Sequence, residues 1–364
     1  MHIERVQLKN FLSHDNVDIE LCPGINVVYG ANAVGKTNLL DSMYLSAVGR
    51  SYKYSRDKDL IAWESKEEAS VIVDVKNRFT SNQVKIQIGL DGKKRISIND
   101  FKINRIGELM GTVNLIMFHP DELKLVKDSP SERRRFMDIS ICQQSKKYFY
   151  ALLRYEKVLE QRNNILKKYR GMPLLKTFLN ATTQELVRAA ETIMPARRDF
   201  VEKMLVYAKE QHKIITQGEE VLDLVYEGER VDYNDFAASY EALLERSFDN
   251  DERLGFTGVG PHRDDIKITS NSVDIRKFGS QGQQRSAVLS LKLAEIKLHE
   301  SQIGEKPILL LDDVLAELDV NRCNAFCSAI QGIQTIVAST DIPINLEGGR
   351  IFNIGKDKKI VRVK

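Results

Sequence analysis

The segment Gly30-Ala31-Asn32-Ala33-Val34-Gly35-Lys36-Thr37 constrains this chain more than any other, because it matches GxxxxGK[ST] in full. Phosphate oxygens need several backbone N–H groups converging on one point, and a glycine-containing loop presents them without side-chain clash. Lys36 then stands to neutralise the β- and γ-phosphates of a nucleotide, and the Thr37 hydroxyl to ligate Mg2+. Such a loop functions between a strand and a helix. Here residues 24–29 form a short apolar run entering the loop, and residues 38–47 have helical character. Composition alone reproduces the four fixed positions in roughly one chain in a hundred of this length.

A second segment fits the first. Ile308-Leu309-Leu310-Leu311-Asp312-Asp313 reads as an apolar strand ending in two carboxylates. Asp312 in that place holds Mg2+ through water, and Asp313 is a candidate general base for an attacking water. A third segment, Phe278-Gly279-Ser280-Gln281-Gly282-Gln283-Gln284-Arg285, lies just before a long helical pattern. A Ser/Gly loop at a helix N-terminus is another anion site. With one phosphate loop already present, a second phosphate-sensing element argues for nucleotide held between two subunits.

Residues 1–120 otherwise read as short strands: alternation at residues 3–8 and 17–21, and strand patterns at 69–75, 84–90 and 95–98, the last after an Asp91-Gly92 turn. Ser129-Pro130-Ser131-Glu132 has the form of a helix-initiating capping box. Two helical stripes follow, through Tyr148, Leu152, Tyr155, Leu159 and Leu166, and through Leu179, Leu186, Ala190, Ile193, Phe200, Met204 and Tyr207. Each has one polar miss, at Arg162 and at Arg197, and Pro195 is expected to kink the second. Their spacing predicts an antiparallel helical pair. Residues 307–311 and 335–339 lack polar alternation and read as buried strands.

Taken together, the phosphate loop, the Ser280–Gln283 signature (SxGQ), and the Asp312 strand followed by Glu317-Leu318-Asp319 resemble the SMC-like branch of the ABC-type ATPases. Adding Asn10-Phe11-Leu12-Ser13-His14 and Gly260-Pro261-His262-Arg263-Asp264-Asp265, the chain is similar in order and length to the RecF family of bacterial recombinational-repair proteins. The resemblance implies an α/β, ABC/SMC-like P-loop ATPase head (residues 1–125 and 252–364) with an inserted, mainly α-helical lobe (126–251) forming a short antiparallel arm. It implies an ATP- and Mg2+-dependent homodimer that binds gapped or single-strand/duplex DNA and loads a recombinase with RecO and RecR. Carried onto this chain, nucleotide is held by residues 30–37 together with Asn38, Ser13 and His14. Ser280, Gln281, Gly282 and Gln283 meet the γ-phosphate bound to the other subunit, with Asp319 across the dimer. Lys36 and Asp313 serve catalysis; Thr37 and Asp312 serve the metal. Two departures matter: Asp313 stands where a longer Glu is usual, and Ser339-Thr340-Asp341 offers no histidine at the switch position. Both imply a weak ATPase, an ATP-timed clamp and not a motor.

Net charge, only +3 for the 364 residues, conceals an asymmetry. Residues 1–213 hold 36 basic and 26 acidic side chains, and residues 214–364 hold 18 and 25. The helical arm carries Arg133, Arg134, Lys146, Lys147, Lys167 and Lys168, a sequence-independent and salt-sensitive surface for DNA phosphates. Residues 214–251, with 11 acids and 2 bases, are expected to face away from DNA. No apolar run approaches the ~20 residues of a membrane span, no secretory leader is apparent, and four scattered cysteines fit reduced thiols, so a cytoplasmic location is expected. A transporter ATP-binding subunit would have a smaller helical insert and a switch histidine. An SMC structural ATPase would have arms of hundreds of residues, and a P-loop kinase or GTPase would explain neither Ser280–Gln283 nor Glu317–Asp319. The kinase-like triplet His262-Arg263-Asp264 lacks its partner Asn at the required spacing. The segment around it reads either as a buried network supporting the signature loop or as a capped turn.

Overall fold

The computed structural model describes residues 1–315, 318–342 and 349–364. It divides into two compact units, Met1–Leu123 with Glu210–Glu220 and Arg285–Lys364, and Lys124–Lys209 with Val221–Gln284.

The first unit carries two six-stranded sheets. One is antiparallel, in the order His14–Glu20, His2–Phe11, Ala69–Lys76, Ser81–Ile88, Lys94–Ile98, Phe101–Lys102. Its strands alternate: Ala69, Val71, Val73 and Val75 are buried while the residues between them are not, as one solvated face requires. The other sheet runs Ile360–Arg362, Gly349–Ile354, Ile25–Tyr29, Thr335–Ser339, Ile308–Asp312, Leu115–Phe118, parallel except for its first pair. Its central strands are covered on both faces and so lack alternation; Ile308, Leu309, Leu310 and Leu311 are all fully buried. The core there joins Phe118, Leu309, Leu311 and Val337 to Leu289, Leu293 and Ile296 of the Gln281–Ile303 helix and to Phe326 and Ile330. Parallel pairing brings the C-terminal ends of Ile25–Tyr29 and Ile308–Asp312 to the same end of the sheet, which is where the phosphate loop and the two carboxylates lie.

The second unit holds helices Pro130–Gln144, Lys146–Lys168, most of Leu175–Ile215, and Phe236–Leu254, with a three-stranded sheet of Val273–Asp274, Asp265–Ser270 and Leu222–Glu227. The antiparallel pair forms as the spacing predicts. Tyr169 meets Phe178 across the turn with ring centroids 4.7 Å apart, Arg154 pairs with Glu185, and the Tyr148 hydroxyl lies 2.9 Å from Arg197 Nε. The second helix continues through Pro195 for 41 residues, about 60 Å at 1.5 Å per residue.

Three expectations are corrected. The helix at Pro130 starts where predicted, with Ser129 at its N-cap, but the Ser129 side chain makes no cap bond; its hydroxyl lies 2.5 Å from that of Ser131 instead. Residues 252–284 pack with the helical unit and not with the head, because Asp265–Ser270 pairs with Leu222–Glu227 and because Asp264 and Asp265 hold Arg197 and Arg133. Conversely, residues 210–220 belong with the head, where Ile215 enters the core and His212 Nδ1 lies 2.9 Å from Ser290 Oγ. Among the described residues, no helix is long and apolar enough to cross a membrane.

Candidate nucleotide site and basic surface

The phosphate loop leaves the Ile25–Tyr29 strand and enters the Lys36–Val48 helix. Both of its glycines are required by space. A Cβ on Gly30 would lie 2.6 Å from the Ile354 carbonyl oxygen, and one on Gly35, where φ is +110°, would lie 2.5 Å from Ser13 Oγ and 2.8 Å from the His14 ring. The helix start has no side-chain cap and no acid in its first turn, so its partial positive charge is left for an anion. Lys36 is buried and donates to the Gly30 and Ala31 carbonyls at 2.8 and 3.0 Å, which holds its ammonium over the loop.

Thr37 Oγ1 lies 3.0 Å from both carboxylate oxygens of Asp312. Burial pushes the Asp312 carboxyl above its usual range; a cation beside it would restore the charged form. Asp313 follows in the left-handed region at φ +51°, its N–H donating to Ala338 O at 2.9 Å. Ser13 and His14 arrive from the turn between the first two strands. Asn38 Nδ2 donates to Ser13 Oγ at 2.7 Å, and His14 Nε2 donates to the Gly35 carbonyl at 3.0 Å. Buried His14 is held neutral, its pKa lowered by desolvation, and its Nδ1 has no partner among the described residues. The glycine cradle, the uncapped helix start and the hydroxyl–carboxylate pair fit a nucleoside triphosphate with Mg2+.

Sequence reasoning missed the residues behind Asp312. The Tyr52 hydroxyl donates to Asp312 Oδ2 at 3.1 Å, and its ring stacks on His119 at 5.8 Å and meets Tyr44 edge-on at 5.6 Å. His119 lies 3.7 Å from Glu122, which Lys292 approaches at 3.5 Å while also pairing with Glu295 at 2.8 Å. Burial raises Glu122 to about 7, and its two carboxylate neighbours outweigh burial to hold Lys292 at about 12. These contacts run from the Asp312 carboxylate to the Gln281–Ile303 helix. The one sequence signal was Lys292 and Glu295 within an otherwise apolar helix segment.

In the second unit, Ser280 and Gln283 form a reciprocal capping box: Ser280 N–H donates to Gln283 Oε1 at 3.0 Å and Gln283 N–H to Ser280 Oγ at 3.2 Å. Ser280 and Gln281 are exposed, Gly282 and Gln283 half-buried. In the head, Asp319 caps the Val320–Ala329 helix, accepts from Arg322 N–H at 3.0 Å and pairs with the Arg322 guanidinium, which also reaches Ser286. Ala316 and Glu317 lie outside the described residues.

The residues around His262 form a buried network. Arg197 reaches Asp264 Oδ2 at 2.9 Å, the Pro261 carbonyl at 2.5 Å and Asp138 at 2.9 Å; Tyr226 also donates to Asp264, at 2.5 Å. His262 Nε2 donates to Thr257 O at 2.9 Å, so its Nδ1 accepts from Tyr155 at 2.7 Å. The expected basic surface is corrected at two positions. Arg133 is buried, in a bidentate pair with Asp265 at 2.5 and 3.0 Å, and half-buried Arg134 donates to the Asp264 carbonyl at 2.8 Å. Three consecutive arginines on a helix cannot share a face, and these two turn inward. Lys146, Lys147, Lys167 and Lys168 are exposed.

Loop, sheet order and the Thr37–Asp312 pair define a P-loop nucleotide-binding head. A family model described as the RecF/RecN/SMC N terminal domain matches residues 2–360. The fold is shared with an Smc head bound to the C-winged helix domain of ScpA, at TM-score 0.60 and 18% identity, covering 100% of this chain and 98% of that one. Nearer relatives narrow the class. The DNA replication and repair protein RecF of Clostridium botulinum (strain Eklund 17B / Type B) is 42% identical over 342 residues, 94% of each chain. That of Lachnoclostridium phytofermentans is 39% identical over 358 residues, 97% of this chain and 98% of the relative. A solved structure of the recombination mediator protein RecF-ATP in the RecFOR pathway matches at TM-score 0.92 and 31% identity, over 100% of this chain and 98% of that one. The chain belongs to the RecF family of DNA replication and repair proteins.

Proposed function

We propose that this protein is an ATP-timed DNA clamp that dimerises on ATP, binds gapped or single-strand/duplex DNA, and promotes recombinase loading with RecO- and RecR-type proteins. The observation that carries the ATP part is the Thr37 hydroxyl set against both oxygens of Asp312 beside a loop with no room for a side chain at Gly30 or Gly35. Bound Mg2+ would supply charge neutralisation on the β- and γ-phosphates. Thr37 and Asp312 would hold it, Lys36 would lie along the phosphates, and the Asp313 carboxylate would take a proton from the attacking water. A base one methylene shorter than Glu, with no imidazole at Ser339-Thr340-Asp341, supports slow turnover. Exposed Ser280 and Gln281 suit contact with a second copy, and the RecF relative solved with ATP supports nucleotide dependence. The four exposed lysines of the arm support a DNA contact made through phosphates.

Sedimentation of wild type and Lys36→Arg, with and without ATP and gapped DNA, tests the reading. Dimerisation of wild type alone, and only with ATP, is expected. A monomer under every condition overturns the clamp, and turnover well above ten per second without a partner overturns its timing role.

A further inference from the structure

In the second unit, the helix Lys146–Lys168 and the helix that begins at Leu175 are joined by a turn that carries apolar side chains outward. Met172 is 50% exposed, Leu174 60% and Phe178 41%, with exposed Pro173 between the first two. A cluster of that kind at the end of an arm marks a contact surface. The turn that presents it is fixed. Met172 N–H donates to the Tyr169 carbonyl at 3.1 Å, and Leu175 N–H to the Met172 carbonyl at 3.0 Å. Gly171, in the left-handed region at φ +74°, donates its N–H to Glu252 Oε1 at 2.9 Å. Behind the turn, the Tyr169 and Phe178 rings brace the two helices.

Charge at the tip selects the partner. Lys167, Lys168 and Arg170 are exposed beside the turn, and the Lys168 ammonium lies 5.0 Å from the Tyr169 ring centroid. The nearby acids are engaged within the protein: Glu252 accepts from Gly171, and Glu245 pairs with Lys176, near which Asp249 also lies. An apolar point beside cations fits an anionic polymer that bares flat apolar faces, which is DNA at an interruption of its stack. Lys146 and Lys167 are 21 residues apart. On a straight helix they lie within about 60° of the same face and about 31 Å apart, close to one turn of duplex. Duplex lying along that face reaches the tip with its phosphates already engaged.

We propose that Met172 and Leu174 cover the bare face of the base pair that borders a gap, and so give the arm a preference for interrupted duplex. The inference rests on the reading of the arm as a DNA contact and adds what its lysines cannot supply, since phosphate contacts position the duplex without reading it. Leucine, methionine and proline are among the side chains by which proteins wedge between base steps, at the cost of unstacking them. In uninterrupted duplex that cost is met in full. At a gap, one face of the last pair has already lost its neighbour, so the same side chains bury apolar surface there without unstacking anything.

Gapped and uninterrupted duplexes carrying 2-aminopurine, at the pair bordering the gap or in mid-duplex, are titrated with the whole chain and ATP. Wild type is expected to bind the gapped duplex about tenfold more tightly and to change the fluorescence of the bordering base only. Met172→Ser with Leu174→Ser is expected to lose most of that preference and the fluorescence change. Its affinity for uninterrupted duplex and its salt slope stay as in wild type, because no phosphate contact is removed. Both positions are exposed, and circular dichroism checks that the fold is kept. Equal preference and equal fluorescence change in the variant overturn the wedge while leaving the arm's DNA contact in place. So does unchanged DNA binding in a variant that binds a RecR-type protein more weakly, which gives the tip to a protein. Failure of wild type to bind either duplex overturns the DNA reading of the arm and the wedge with it.

Discussion

Thr37 and Asp312, 275 residues apart in the chain, meet with the hydroxyl 3.0 Å from each carboxylate oxygen. Two adjacent parallel sheet positions explain the meeting: Thr335–Ser339 pairs with Ile25–Tyr29 on one side and with Ile308–Asp312 on the other. Asp312→Asn keeps the shape of that contact and removes its charge. Burial already disfavours the Asp312 carboxylate, and a cation bound beside it would restore its charge. ATP turnover is expected to fall by ~10²–10³, the range for losing one preorganised electrostatic group, with nucleotide binding largely kept. Phosphate release against equilibrium binding separates the two.

Tyr52→Phe tests whether the residues behind Asp312 position it. The substitution deletes the 3.1 Å hydrogen bond to Asp312 and keeps the ring contacts to His119 and Tyr44. The stability cost is about 1 kcal/mol, the usual net value of one hydrogen bond. The half-saturating Mg2+ concentration for turnover is expected to rise several-fold while nucleotide affinity without Mg2+ stays unchanged. A loss confined to stability would make Tyr52 a packing residue only.

The phosphate loop and the Asp312 strand were legible because both are local: glycine spacing and an unbroken apolar run state their own geometry. The strands at Ala69–Lys76 and Lys94–Ile98 were legible for the same reason, through alternation and the Asp91-Gly92 turn. Arg162 and Arg197 were not. Each breaks an apolar stripe yet is buried, because its carboxylate partners, Asp251 and Asp264, lie 89 and 67 residues away. No pattern within the helix carries that information. The same remoteness hid Tyr52, and it moved the unit boundary from residue 252 to residue 284.

Acid should weaken the helical unit through His262. Burial holds His262 down at about 4, against 6.5 for an ordinary histidine. Between those values the unfolded chain takes up a proton that the folded chain refuses, so stability present above pH 6.5 is lost as pH falls towards 4. From pH 7.5 to pH 5 the loss amounts to about 2 kcal/mol from this residue alone. Within the same unit burial raises Asp264 to about 6, which adds stability as pH falls and offsets part of that loss; buried His14, His212 and His299, also lowered, make the acid loss of the head. Unfolding free energies at the two pH values, for wild type and His262→Gln, are expected to show the acid loss smaller in the variant by about 2 kcal/mol.

Arg162 pairs with Asp251 at 3.0 Å and reaches Thr257 at 2.7 Å, with both charged side chains buried. Removing one partner strands the other charge, so Arg162→Met is expected to cost about 3–5 kcal/mol. Arg162→Met with Asp251→Leu removes both charges and should recover most of that loss. Unfolding free energies of the two single variants and the double variant form the cycle that measures it; additive losses would refute the pairing.

Arg133 and the exposed lysines should behave oppositely towards DNA. Arg133 spends its guanidinium on Asp265 and on the Leu125 and Asp128 carbonyls, at 3.1 and 3.0 Å. Arg133→Gln therefore lowers stability and leaves the salt dependence of DNA binding where it was. Lys146, Lys147, Lys167 and Lys168 face solvent. For every DNA phosphate these lysines neutralise, their removal should flatten the slope of log affinity against log salt by about 0.9 on duplex DNA. The four-fold Lys→Gln variant, titrated with gapped duplex at low and at moderate salt in the presence of ATP, gives the slope directly. An unchanged slope would remove the arm from the DNA interface. A flattened slope in Arg133→Gln, with wild-type stability, would put Arg133 back on it.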